Sequence, residues 1–190
     1  MKLLRFFLLF NVILLAGLFL MRGKIAELQQ PQTPLADYGK LAAFRLTDQK
    51  NAEVTPDFFK EKLWVMDFIF TKCPNQCPMM SFKMSALQKA LPKSVYFASI
   101  SVDPEYDTPA VLSEYAKRFG AEEGRWLFLT GEKEEIDRLL KSVHLGDSGE
   151  PSMHSIRFIL IDKNRAIRGY YNSEEKTPIE NLKKDVRQLL

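Results

Sequence analysis

Residues 63–91 read LWVMDFIFTKCPNQCPMMSFKMSALQKAL: an apolar run, a loop with two cysteines, then a helical pattern. Leu63–Phe70 (LWVMDFIF) is apolar at every position but Asp67. A run this short and near-continuous reads as a buried strand. Beyond the loop, Met80, Met84, Leu87 and Leu91 fall on one stripe, which predicts a helix from Pro78 to about Leu91. Proline favours the first helical position, so Cys77 is expected at the N-cap. Both cysteines precede a proline and are biased away from helical backbone, which places them between a strand end and a helix start. There the unpaired N–H groups and the positive dipole end stabilise a thiolate and lower a cysteine's pKa.

Working outward, Val95–Val102 (VYFASISV) is the next strand. Thr108-Pro109 opens a helix to Phe119, threonine as N-cap and proline first inside it. Trp126–Leu129 is strand-like, and Lys133–Val143 reads as a helix. Ile156–Asp162 and Ala166–Tyr171 flank a Lys163-Asn164-Arg165 turn as a hairpin, and a last helix runs from Pro178. Upstream, Ala43–Leu46 is a short strand candidate, followed by a turn at Asp48–Asn51. Strands alternating with helices, then a hairpin and a closing helix, indicate an α/β sandwich with a central mixed sheet. The thioredoxin-like arrangement has this order.

The 190 residues suffice for one well-buried domain and are too few for two comfortable ones. The net charge is +3, yet Lys2, Arg5, Arg22 and Lys24 supply four positive charges before the first acid, Glu27. The remainder carries 23 basic and 24 acidic residues, so it has no electrostatic reason to hold nucleic acid. Phe6–Met21 (FFLLFNVILLAGLFLM) is apolar apart from Asn11. At about 1.5 Å per residue it spans roughly 24 Å, and Leu3, Leu4 and snorkelling Arg5 and Arg22 close most of the gap to the ~30 Å hydrocarbon core. The competing reading, a cleaved signal peptide, needs a small-x-small site that Leu18–Arg22 does not offer. The expected organisation is an anchor (or uncleaved signal) over 1–22, a tether over 23–37 and a thioredoxin-like domain over 38–190. A signal-anchor at the N-terminus leaves that domain outside the cytoplasm, on the periplasmic face of an inner membrane or its equivalent.

Cys73 and Cys77 are the only cysteines, four apart, which suggests chemistry more than scaffolding. On a regular helix their Cβ atoms would lie about 5–6 Å apart, too wide for an unstrained disulfide at roughly 3.5–4.5 Å. A bent loop can bring them closer or leave room for an ion, so the spacing permits either state. Structural zinc wants four ligands, and the chain offers two cysteines and two histidines, His144 and His154. A dithiol oxidoreductase is the serious rival to metal binding, although thioredoxin-type enzymes usually have two residues between their cysteines and this loop has three. His154 precedes the hairpin strand, in Pro151-Ser152-Met153-His154-Ser155. In a thioredoxin-like fold that loop lies against the cysteine loop, so the imidazole can approach both sulfurs. Two thiolates and an imidazole form a soft set suited to copper, Cu(I) especially. His144 is read as a loop or helix-end residue. Among the methionines, core packing accounts for Met79, Met80 and Met84, and Met153 stays open.

Three ordered segments resemble the Sco/SenC family. MDFIFTKCPNQCPMMS resembles its copper loop, ISVDPEYDTPAVLSEYAKRFG its aspartate-proline segment and MHSIRFILIDKNRAIRGYY its histidine-bearing hairpin, together spanning roughly Leu63–Tyr171. The resemblance implies a metallochaperone that delivers copper to the binuclear copper site of cytochrome c oxidase, or reduces that site's cysteines before loading. By motif position it makes Cys73, Cys77 and His154 the copper ligands, for Cu(I) and/or Cu(II), with Cys73 and Cys77 also the redox-active pair. The partners it implies are the oxidase's copper-site subunit and other copper chaperones or thiol-disulfide reductants, with the membrane engaged through the N-terminal helix. A thiol-disulfide oxidoreductase without obligatory copper is the alternative. Asp103 and Asp107 also match, and are expected to be turn and helix-entry residues. One departure is the short segment Gly146–Met153 before the histidine, where many members are longer.

Overall fold

The computed structural model describes residues 34–143 and 156–190, together with Leu15, Gly17, Met21 and Arg22, which are helical. The chain divides into two units, Met1–Pro34 and Leu35–Leu190. Most of the expected anchor, Phe6–Met21, and both histidines, His144 and His154, lie outside the described residues. Among those that are described, no helix is long and apolar enough to cross a membrane.

Among the described residues the second unit is built on seven strands: β1 (Leu46–Asp48), β2 (Glu53–Val54), β3 (Leu63–Ile69), β4 (Val95–Ser101), β5 (Trp126–Thr130), β6 (Arg157–Ile161) and β7 (Ile167–Asn172). They form one mixed sheet in the order β2-β1-β5-β4-β3-β6-β7. The three central strands run parallel, Leu63 facing Val95 and Phe97 facing Trp126, while β1 and β6 join them antiparallel. Among the described residues four α-helices complete it: α1 (Gln76–Ala90), α2 (Pro109–Arg118), α3 (Lys133–Ser142) and α4 (Lys176–Leu189). This is the α/β architecture expected from the alternation, with a short extra strand, β2, that its two residues could not announce.

Burial on both faces explains the near-continuous apolar strands. In β3, Leu63, Val65 and Ile69 join a core with Met80, Met84 and Leu87 of α1, Leu112 of α2 and Leu182 of α4. Trp64, Met66 and Phe68 enter the opposite core with Phe59, Ile136 and Leu139. By the same two-residue period Asp67 lies on the α1 side, fully buried.

The expected strand at Ala43–Leu46 sits two to three residues later, at Leu46–Asp48, because its register is set by pairing Thr47 with Thr130 and Asp48 with Leu129. The turn after it is as expected: Asp48 Oδ1 accepts from the N–H groups of Lys50 and Ala52, both at 2.8 Å. Thr108 caps α2, its hydroxyl accepting from Val111 N at 3.4 Å with Pro109 following. At the far end of α1, buried Arg125 donates to the carbonyls of Gln88, Leu91, Pro92 and Val95 at 2.8–3.0 Å. Terminal helical carbonyls, otherwise orphaned, are satisfied there. The parallel pairing brings the C-terminal ends of β3 and β4 together, Ile69 opposite Ser101, and the loops that follow them meet.

Candidate metal and redox centre

Phe70–Asn75 carries the chain from β3 into α1, with a turn in which Cys73 N donates to Phe70 O at 3.2 Å. Cys77 is the second residue of α1, not its N-cap; Asn75 holds that place, and Pro78 is third. Nothing opposes proline at third position, because the helix's own hydrogen bonds begin with Met79 N donating to Asn75 O at 3.4 Å. Asn75 makes no side-chain cap. The sulfur of Cys73 takes that role: Cys77 N donates to Cys73 Sγ at 3.4 Å. Both cysteines are free and buried.

The two thiols are electrostatically unlike. Burial works against the Cys73 thiolate, but hydrogen bonds from the N–H groups of Cys77, Asn75 and Gln76 and from the Cys77 thiol outweigh it and hold its pKa below the ordinary value. The expected lowering at a helix start therefore applies to Cys73 alone. Cys77 is pushed up to about 12, by burial first and then by its hydrogen bond to Cys73 and the charges of Cys73 and Asp67; a backbone hydrogen bond from Phe70 opposes this. The pair thus sets a thiol biased toward thiolate beside one biased toward keeping its proton.

Behind the sulfurs lies a buried polar group that periodicity alone did not flag. Burial raises the Asp67 carboxyl to about 7, against smaller opposing hydrogen bonds from Ser99 and from its own backbone. Neither carboxyl oxygen has a partner within ordinary hydrogen-bond geometry. Ser99, its neighbour across β4, accepts from Trp126 Nε1 at 3.0 Å. Ser81 donates to Tyr115 Oη at 3.3 Å. Burial raises Tyr115, and the charges of Cys77, Asp67 and Cys73 raise it further, so these groups share one interior.

Beside the loop, Asp107 is fully buried and accepts from Thr71 N at 3.0 Å and Ser101 Oγ at 2.5 Å. The Thr71 hydroxyl bonds its other oxygen. Asp107 is thus more than the helix-entry residue expected from sequence, whereas Asp103 is a turn residue whose carbonyl accepts from Tyr106 and Asp107 N–H. Met80 and Met84 are core, as expected, but Met79 is 54% exposed, as is Phe82 at 65%. Position 79 falls off the buried stripe of 80, 84 and 87.

Two adjacent, unbridged sulfurs are soft donors fit for a thiophilic ion. No group of three or more His, Cys, Asp or Glu side chains that could hold a metal occurs among the described residues, and the third ligand expected from sequence, His154, is not one of them.

Residues 33–190 match the SCO1/SenC family. Among solved structures, a SCO1/SenC family lipoprotein from Bacillus anthracis is 34% identical, with a TM-score of 0.71 over 79% of this chain and 94% of that one. BsSco, described with a disulfide switch as a member of the Sco family of cytochrome c oxidase assembly proteins, is 30% identical, with a TM-score of 0.72 over 84% of this chain and 98% of that one. ScoI of Bradyrhizobium japonicum, solved with copper bound, is 27% identical, with a TM-score of 0.66 over 80% of this chain and 100% of that one.

Proposed function

The chain belongs to the SCO1/SenC family, and on that premise we propose that it is a copper-binding metallochaperone assisting assembly of the binuclear copper site of cytochrome c oxidase. Copper is its cargo, held by Cys73, Cys77 and His154. The observation that carries this reading is the cysteine geometry: two free sulfurs at the start of α1, one of them receiving the N–H of Cys77. That arrangement lowers the Cys73 pKa from its ordinary value and so favours its thiolate, the form a soft ion binds. A relative with copper bound shares the fold and over a quarter of its sequence. Phe6–Met21 would anchor the chain and leave the domain over 38–190 outside the cytoplasm, beside a membrane-bound client; a relative of the same family is a lipoprotein.

The test is copper content and spectrum of the reduced full-length chain in detergent, beside Cys73→Ser, Cys77→Ser and His154→Ala. Near one equivalent of tightly held copper, lost with either cysteine and weakened without the imidazole, is the expected result. Binding indifferent to His154 would remove it from the ligand set, and no stoichiometric copper would sink the chaperone reading.

The inequality of the thiols favours a second reading, thiol-disulfide exchange with a partner's cysteines. The Cys73 thiolate attacks a client disulfide to give a mixed disulfide and one client thiolate. Cys77, on losing its proton, attacks Cys73 Sγ and releases the second client thiolate. Two electrons pass to the client, and the pair ends as a Cys73–Cys77 disulfide, which cannot hold copper until reduced. The two readings are compatible steps of one cycle.

A further inference from the structure

We infer that Asp107 is a positioning residue for the thiol pair: it clamps the cysteine loop to the end of β4 and so fixes where Cys73 stands relative to α1. The inference rests on the reading that Cys73 and Cys77 act together. Asp107 has no exposed surface, and no cation lies within ion-pair distance of it among the described residues. A buried carboxylate persists only when donors replace its water. Three do: the backbone N–H and hydroxyl of Thr71, and the hydroxyl of Ser101. Ser101 is itself held by Asp103 N, which donates to its Oγ at 3.1 Å.

Thr71 stands two residues before Cys73, and Ser101 is the last residue of β4. One carboxylate therefore joins the loop after β3 to the strand beside it, across a sequence separation of 36. The next residue is gripped as well, since Lys72 Nζ lies 3.5 Å from the ring centroid of Tyr106. Consecutive residues of the cysteine loop are thus tied to consecutive residues of the loop that enters α2. Without the clamp, Thr71 loses both bonds that tie the cysteine loop to Asp107, and Cys73 Sγ samples positions away from Cys77 more readily. A side chain held by charge-assisted bonds at one end of a short loop limits that sampling.

The quantity this controls is the effective concentration of one thiol at the other, measured as the equilibrium constant of the Cys73–Cys77 disulfide against glutathione in the full-length chain. Asp107→Ala should lower it about tenfold, which raises the two-electron potential by about 30 mV. Asp107→Asn, whose amide oxygen still accepts from Thr71 N, should lower it about threefold, and Thr71→Val, which loses only the hydroxyl bond, by a similar factor. Leu139→Ala, which opens the opposite core, is the control for lost stability and should leave the constant unchanged. Asp107→Ala and Asp107→Asn within twofold of the unmodified protein would overturn the inference. If Asp107→Ala does not fold, Asp107→Asn and Thr71→Val decide it on the same scale. If the unmodified protein forms no disulfide, the exchange reading fails, and the clamp is then judged on amide hydrogen exchange. Tenfold faster exchange at Thr71 and Cys73 in Asp107→Asn, with Val65 unchanged, sustains it; equal rates at all three overturn it.

Discussion

Replacing Asp67 with asparagine tests the polar interior behind the sulfurs, because its carboxyl is buried in β3 without a hydrogen bond of ordinary geometry. Burial raises this group from an ordinary 3.8 to about 7. For a carboxyl raised on folding, the folded state binds the proton more tightly than the unfolded chain. Its contribution is therefore fully present below the unfolded value and is lost as pH rises through the folded one. Each unit between the two values corresponds to about 1.4 kcal/mol, which bounds the loss at roughly 4 kcal/mol. Buried sites respond with an effective dielectric well above that of dry protein, so ~2 kcal/mol is the expected size. Asparagine matches the shape of the protonated acid and carries no charge at any pH. Urea unfolding of the reduced protein at intervals from about pH 4 to pH 7.5 gives the stability of each form. At the acid end Asp67→Asn should differ from the parent by a constant set by its amide. The gap should then widen in its favour by ~2 kcal/mol up to about pH 7. Stability curves that stay parallel across this window would show that Asp67 is ionised and solvated in the fold, and the reasoning would fail.

Two further predictions concern groups far apart in the fold. Arg125 satisfies four carbonyls at the junction of α1 and β4, so Arg125→Met should destabilise by roughly 3 kcal/mol or more at all pH values near neutral, read by thermal or urea unfolding. Burial pushes the Cys77 thiol up to about 12, so on the proposed function Cu(I) would displace its proton on binding. The logarithm of the apparent affinity should rise by at least one per pH unit between about pH 6 and pH 8, and a flat profile would remove Cys77 from the ligand set.

The order of elements was legible because β3 to β6 are largely apolar runs and β7 alternates, each bounded by turn residues, and each helix has a cap or a stripe. Thr108-Pro109 marked the start of α2 to the residue. The N-cap of α1 was missed by two because proline is acceptable throughout the first turn, and only the hydrogen-bond pattern tells N1 from N3. Cys73 and Cys77 were legible as a pair from their spacing, but their inequality was not. It depends on which sulfur receives the N–H of Cys77 and which faces Asp67. Asp67 was visible as the polar interruption of LWVMDFIF, but its place beside α1 follows only once Leu63, Val65 and Ile69 are seen to pack on that face. Asp107 was hidden for a different reason. Its partner Thr71 is 36 residues away, and nothing local separates a buried carboxylate from the turn aspartates around it.

On the proposed function, that inequality bears on how copper binding and thiol exchange would share one site. Holding an ion between the sulfurs needs both as thiolates, yet the fold favours the thiolate only at Cys73 and pushes Cys77 up to about 12. Two thiolates side by side without a cation would repel across a buried space that already holds Asp67. A monovalent ion removes that repulsion as the second proton leaves, so metal and proton exchange at Cys77 become one event. Oxidation achieves the same relief by joining the sulfurs. The empty, reduced pair is therefore the state from which either route starts, and Cys73, held at the helix start by three N–H groups, is the sulfur through which each begins.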